Sequence, residues 1–126
     1  LITAPASNAA TIATDGYWGT ETTRLLQILF KLDVVDGIVS SQPASRASAN
    51  PGLAGGWDWV SDASANGSQT IGALQGMLKV TQDGLIGPGT ISALQARYKL
   101  PQDGVLSAES PTIMKLQAEL NGVTHG

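Results

Sequence analysis

A unit repeated four times constrains this chain more than any other feature of it. Residues 15–40, DGYWGTETTRLLQILFKLDVVDGIVS, align with residues 83–107, DGLIGPGTISALQARYKLPQDGVLS, with one single-residue gap. The alignment superposes Asp15 on Asp83, Gly19 on Gly87, Thr22 on Thr90, Leu26-Gln27 on Leu94-Gln95, Lys31-Leu32 on Lys99-Leu100, and Asp36-Gly37 on Asp103-Gly104. Two further copies of the helical half occur, TIGALQGMLK at 70–79 and TIMKLQAEL at 112–120, with Leu74-Gln75 and Leu116-Gln117 in the equivalent place. A chain built this way must fold as a set of similar units that bury their apolar faces on one another.

Within each copy the apolar residues recur at helical spacing: Ile71, Leu74, Leu78; Ile91, Leu94, Tyr98; Ile113, Leu116, Leu120. The spacing predicts four helices, near residues 20–32, 69–79, 88–99 and 110–121. Their starts carry entry chemistry, with Thr20 or Ser68 able to cap exposed amides, Pro88 and Pro111 suited to a first turn, and Glu21 and Glu109 favoured at the positive helix end. Pro101 and Asn121-Gly122 mark helix ends.

Between the helices lie DGYWG, DGIVS, DGLIG and DGVLS. Glycine gives the positive φ of a tight turn, Asp bonds its own downstream backbone, and the apolar pair is expected to enter the core. A strand-like bridge between two turns is conceivable, but not a sheet. The stretch 41–56, SQPASRASANPGLAGG, has no periodicity and reads as a long loop, ending in Trp57-Asp58-Trp59-Val60. The fold class expected is therefore all-α. It is expected as a single domain over 1–126, with a partial unit at 15–40, a loop or insertion at 41–67 and a complete three-helix unit at 68–121.

Composition narrows the function. Only 13% of the 126 residues are charged, the net charge is -3, and the seven Lys and Arg are scattered, so no basic footprint for nucleic acid exists. No segment approaches a bilayer span, and residues 1–8 lack the basic and apolar parts of a signal peptide. Without cysteine there are no disulfides or thiolate metal sites. The single His125 lies beside the C-terminus with no acidic or hydroxyl constellation to match it, which argues against a catalytic role. Asp15, Asp36, Asp83 and Asp103 each precede Gly at the same place in a repeat and lack calcium-loop spacing, so turn formation explains them. The same recurrence makes Gln27, Gln75, Gln95 and Gln117 packing or turn-bonding residues.

The pattern T-x-x-x-L-Q, then an aliphatic residue and D-G-x-x-G, resembles the peptidoglycan-binding domain family, small three-helix modules appended to bacterial and phage cell-wall hydrolases. The resemblance is strongest over 68–120. The larger arrangement, VDGIVS followed by a Trp-containing insertion and the full unit, looks like the wall-binding ends of endolysins from phages of Gram-positive bacteria. Ser40 and Ser107 stand where the family has Gly. The resemblance implies a non-catalytic module that targets a covalently attached lytic enzyme to wall peptidoglycan, or an associated wall polymer, at the extracellular face. No cofactor, metal, nucleic acid or membrane partner is implied. A protein interaction or oligomerisation module is the alternative.

Binding is expected from what varies between copies. Tyr17 and Trp18 occupy the apolar pair of the first turn, where the others are aliphatic, and Trp57 and Trp59 point one way from an extended segment. Flat aromatic faces suit the C–H surface of a glycan, although core packing is the plainer role for Trp18. Arg24 and Arg97, with Arg46 beside them, offer guanidinium forks for stem-peptide carboxylates or wall phosphates. The ligand-binding set expected is thus Tyr17, Trp18, Arg24, Trp57, Trp59 and Arg97. If the Asp-Gly pairs are fold-makers, Asp83-Gly84→Ala-Ala lowers the melting temperature together with any binding; loss of binding at an unchanged melting temperature contradicts that role.

Overall fold

The computed structural model describes residues 11–125, with side chains through residue 122. The expectations for residues 1–8 and for the His125 side chain lie outside the described residues. In chain order the elements are helix α1 (Thr20–Leu29), strand β1 (Val39–Pro43), short helix α2 (Ser45–Ala49), strand β2 (Trp57–Val60), a 3₁₀ turn (Asp62–Ser64), α3 (Gln69–Leu78), α4 (Pro88–Arg97) and α5 (Pro111–His125).

The four repeat helices lie where their apolar spacing places them. Leu25, Leu26, Ile71, Leu74, Ile91, Leu94, Ile113, Leu116 and Leu120 form one buried cluster. Ser68 caps α3, its Oγ accepting from the Ile71 N–H at 3.0 Å, and Ser110 does the same for Ile113 at 3.2 Å. Thr20 is instead the first helical residue of α1, preceded by Gly19. Lys31, Lys79 and Lys99 adopt left-handed φ of 55°, 61° and 60° just past α1, α3 and α4. The N–H of the next residue then returns to a glutamine carbonyl, Leu32 to Gln27, Val80 to Gln75 and Leu100 to Gln95, each at 3.0 Å. This is the Schellman stop. Helix α5 continues through Asn121-Gly122 to His125, and the Asn121 side chain exchanges two hydrogen bonds with the Ile12 backbone.

Each repeat glutamine reaches forward to the next turn. Gln75 Oε1 accepts from Gly84 N–H at 2.8 Å, while Nε2 donates toward Asp83 Oδ1, Leu85 O and, on the following helix, Thr90 Oγ1. Gln27 does the same for Asp36, Gly37, Ile38 and Thr70, and Gln95 for Asp103, Gly104 and Val105. Gln117 has no turn after it in sequence. It closes the first turn instead, binding Asp15, the Gly16 N–H, Tyr17 O and Thr22 across about a hundred residues. The four helix-turn units therefore form a hydrogen-bonded ring, in which the segment 15–40 and the segment 68–121 complete one another.

The all-α expectation is corrected here. The structure is mixed, 45% helix and 10% strand, because the stretch taken for a plain loop holds α2 and contributes to a two-stranded parallel sheet. Val39 pairs with Trp57, Gln42 with Trp59 and Pro43 with Val60. The physical reason lies in the turns. In each apolar pair the second residue is buried, Trp18, Val39, Ile86 and Leu106, and its backbone groups need partners away from water. The inserted segment supplies them: Gly56 O accepts from Val39 N–H, Gln42 Oε1 from Ile86 N–H, Asn50 Oδ1 from Leu106 N–H and Gly52 O from Trp18 N–H, at 2.7 to 2.8 Å. Such partners come from tertiary placement and leave no periodic trace in the sequence.

The expectation that both apolar residues of each turn enter the core is corrected as well. The first of each pair faces outward, with Tyr17, Ile38 and Val105 exposed and Leu85 half-buried. Extended backbone sends successive side chains to opposite sides. Replacing Gln117 by Ala is expected to destabilise the fold by roughly 3 kcal/mol, since the buried Gly16 N–H and the Tyr17 carbonyl lose the Gln117 amide as a partner. Urea unfolding monitored by tryptophan fluorescence checks this; a change of under about 1 kcal/mol would show that the ring closure contributes little.

Candidate functional site

Ring closure repeats a surface feature as well as a core. At each Asp-Gly turn a cleft opens between the outward first apolar residue, the segment beside it and the first turn of the next helix. The clefts at Ile38 and Val105 are small, about 240 and 270 Å³. Those at Tyr17 and Leu85 reach about 460 and 360 Å³, within the range of small-ligand sites.

The Tyr17 cleft is lined by Ile12, Asp15, Tyr17, Thr20, Glu21 and Ala54, among others. The turn positions Tyr17: Asp15 Oδ1 accepts its N–H at 3.0 Å and Gln117 takes its carbonyl at 2.8 Å. The backbone is thus held while the residue remains 38% exposed. An aromatic face, two carboxylates and a hydroxyl together can stack on and hydrogen-bond a polyhydroxylated ligand.

The other expected site residues are placed differently. Trp18 is fully buried, its indole N–H donating to Thr23 Oγ1 at 2.8 Å, so neither face nor polar edge is available. Trp57 is 8% exposed, meets Trp18 edge to face at 5.1 Å and donates its N–H to Trp18 O at 3.0 Å. Burial removes both from a surface site. Trp59 stacks on Trp57 at 5.4 Å with ring planes 12° apart and is half-buried, forming the outer end of an aromatic column. Arg24 pairs with Glu21, one turn away on α1, at 3.1 Å.

Arg97 forms an ion pair with Glu119 that links α4 to α5, and Tyr98 adds its hydroxyl to the same carboxylate at 2.6 Å. Glu119 is held below the usual carboxylate range, chiefly by the Arg97 hydrogen bond, while burial first and Glu119 second raise Tyr98. Arg97 is therefore engaged in packing rather than poised for a ligand. Sequence reasoning missed Ile12, which forms a wall of the Tyr17 cleft; two hydrogen bonds with Asn121 and packing against the core bring it there.

No family model matches the chain, and no curated protein and no solved structure matches it either.

The acid behaviour follows from these carboxylates. Asp83 is lowered by the Leu85 N–H and then by Gln75, and Asp103 by the Gln95 amide and then by the Val105 N–H, alongside Glu119. Folded values below unfolded ones mean that the unfolded chain binds more protons in acid. The stability these groups contribute is full above the ordinary carboxylate range, and is lost as pH falls through their lower folded values. Thermal melts between pH 6 and pH 2.5 are expected to fall steadily below about pH 4, with Glu119→Gln flattening the slope; a pH-independent melting temperature contradicts the assignment.

Proposed function

We propose that this chain is a non-catalytic module that binds bacterial cell-wall peptidoglycan and holds an attached lytic enzyme, of the phage endolysin kind, on its substrate. The observation that carries the reading is the Tyr17 cleft, where an exposed aromatic face lies beside Asp15, Thr20 and Glu21. Its support from sequence is the resemblance of the repeats to peptidoglycan-binding modules. Sugars are held in this way, by C–H contact with a ring face and by hydrogen bonds from their hydroxyls to carboxylates. A single shallow contact gives weak affinity, and tethering compensates by raising the local concentration of wall bonds around the attached enzyme. Trp59, at the end of the aromatic column, is a further contact in this reading.

A second reading, association with another protein, draws on the segment after α1, where Val34, Val35 and Ile38 are 58%, 43% and 46% exposed. Exposed apolar patches of this kind commonly mark contact surfaces. It requires a mass that rises with protein concentration and no retention on walls.

The discriminating measurement is co-sedimentation with purified walls, intact and stripped first of secondary polymers and then of stem peptides. Tyr17→Ala is expected to weaken retention about tenfold, the loss of one stacking contact, at an unchanged melting temperature. If intact walls do not retain the unmodified chain, the reading is wrong.

A further inference from the structure

The second large cleft, at the DGLIG turn, contains a cation whose buried Nε has no hydrogen-bond acceptor. Arg46, on α2, lines it together with Asp83, Leu85, Gly87, Gly89 and Thr90. Its guanidinium lies over the backbone of Gly87, where an added Cβ would stand 3.7 Å from both Nε and Nη2. The Arg46 Nε is buried without any hydrogen-bond acceptor, the one buried side-chain nitrogen or oxygen in that state among the described residues. Its carbonyl anchors the short helix through Asn50 Nδ2 at 2.9 Å, so the arm is held in place at its root.

An unsatisfied donor on a charged group is costly, and a carboxylate is the acceptor that fits a guanidinium fork with two parallel bonds. The opposite wall of the cleft adds donors. Helix α4 is preceded by Gly87, which has no side chain to cap it, Pro88 has no N–H, and the Ile91 N–H makes the first helical bond, to Gly87 O at 3.0 Å. The amides of Gly89 and Thr90 thus precede the helical ladder and carry its positive end.

We propose that this cleft binds a single carboxylate, such as the terminal carboxylate of a short peptide, between Arg46 and the first turn of α4. The charges in the cleft favour this over a phosphate polymer. One guanidinium stands there against Asp83, whose Oδ1 is engaged with the Leu85 N–H and Gln75. Asp62, on the 3₁₀ turn, also acts on Arg46. With two carboxylates against one guanidinium there is no surplus positive charge to draw a chain of phosphates, and a single carboxylate is held by its hydrogen bonds to Arg46 and the helix amides. Pro43, Leu85 and Pro88 give apolar walls for a small side chain next to the carboxylate. The inference deepens the wall-binding reading by naming a ligand chemistry, and it places that contact two units around the ring from Tyr17.

The test uses the whole chain labelled with ¹⁵N and titrated with N-acetyl-alanyl-alanine in its L,L and D,D forms. The C-terminal amide of each and inorganic phosphate serve as separate titrants. Saturable shifts of the Gly89 and Thr90 amides and of the Arg46 Nε–H are expected with at least one free carboxylate form and not with its amide. Arg46→Gln is expected to weaken that binding about tenfold or more. Gly89→Glu provides a variant that does not threaten the fold, since a Cβ there meets nothing within 4 Å and an acidic residue suits the first helical turn. It places a competing carboxylate in the cleft and is expected to abolish probe binding with the melting temperature kept or raised. The proposal is overturned if no carboxylate form shifts these resonances, if phosphate saturates the cleft and the peptides do not, or if both variants bind like the unmodified chain. Probe binding by a chain that intact walls do not retain upholds the cleft and removes the wall-binding reading, so the two failures are distinguishable.

Discussion

The side-chain amide of one glutamine per repeat holds this structure together. Gln27, Gln75, Gln95 and Gln117 are all at most 3% exposed, and each satisfies the polar groups of an Asp-Gly turn that would otherwise be buried without partners. An amide is suited to this because it accepts and donates at once: the oxygen takes the glycine N–H while the nitrogen serves the aspartate and a carbonyl. Three of the four also reach a threonine on the next helix, Thr22, Thr70 or Thr90. Turn, preceding helix and following helix are thereby fixed by one side chain. Glycine is required at the turns for two reasons at Gly84, where φ is 75° and a Cβ would come within 3.0 Å of the Ser68 backbone. At Gly16 a Cβ would stand 2.7 Å from Glu109.

The ring leaves four buried turn strands with unpaired backbone, and the inserted segment between the first two repeat helices resolves this. It pairs in turn with Val39, Ile86, Leu106 and Trp18, using Gly56, Gln42, Asn50 and Gly52. Trp18, the one large residue among the four, is covered by Trp57, which uses its indole N–H to engage the Trp18 carbonyl. A single aromatic at the ring centre thus accounts for a second, and Trp59 stacks on that one.

The outward residues of the same turns carry the variation. Tyr17, Ile38, Leu85 and Val105 stand at equivalent clefts, and each cleft is bordered by the first turn of a helix. The repeat Asp and Gln line each cleft, while the outward residue of the turn varies from copy to copy, so single substitutions at that outward position can alter what is bound without removing a fold-making residue. The Tyr17 cleft differs by an aromatic ring, the Leu85 cleft by an arginine whose buried Nε has no acceptor. Under the wall-binding reading these would be two unlike contacts on one module, a glycan face and a carboxylate site.

The sequence by itself determined the four helices, the glycine-bearing turns and the turn role of the aspartates, and it limited the glutamines to packing or turn bonding, because those depend on residues close together in the chain and recur with it. The buried partners of α1, α3, α4 and α5 were readable for the same reason. Local pattern could not show that Gln117 closes the turn at Asp15, nor that the aperiodic stretch 41–56 would contribute to a sheet, since both rest on contacts between distant segments. The burial of Trp18 and Trp57, the pairing of Arg97 with Glu119 and the unsatisfied Nε of Arg46 were likewise decided in three dimensions. An aromatic or an arginine has the same local signature whether it packs, pairs or waits in a cleft. Only the tertiary neighbours, by supplying or withholding a partner, separate those cases.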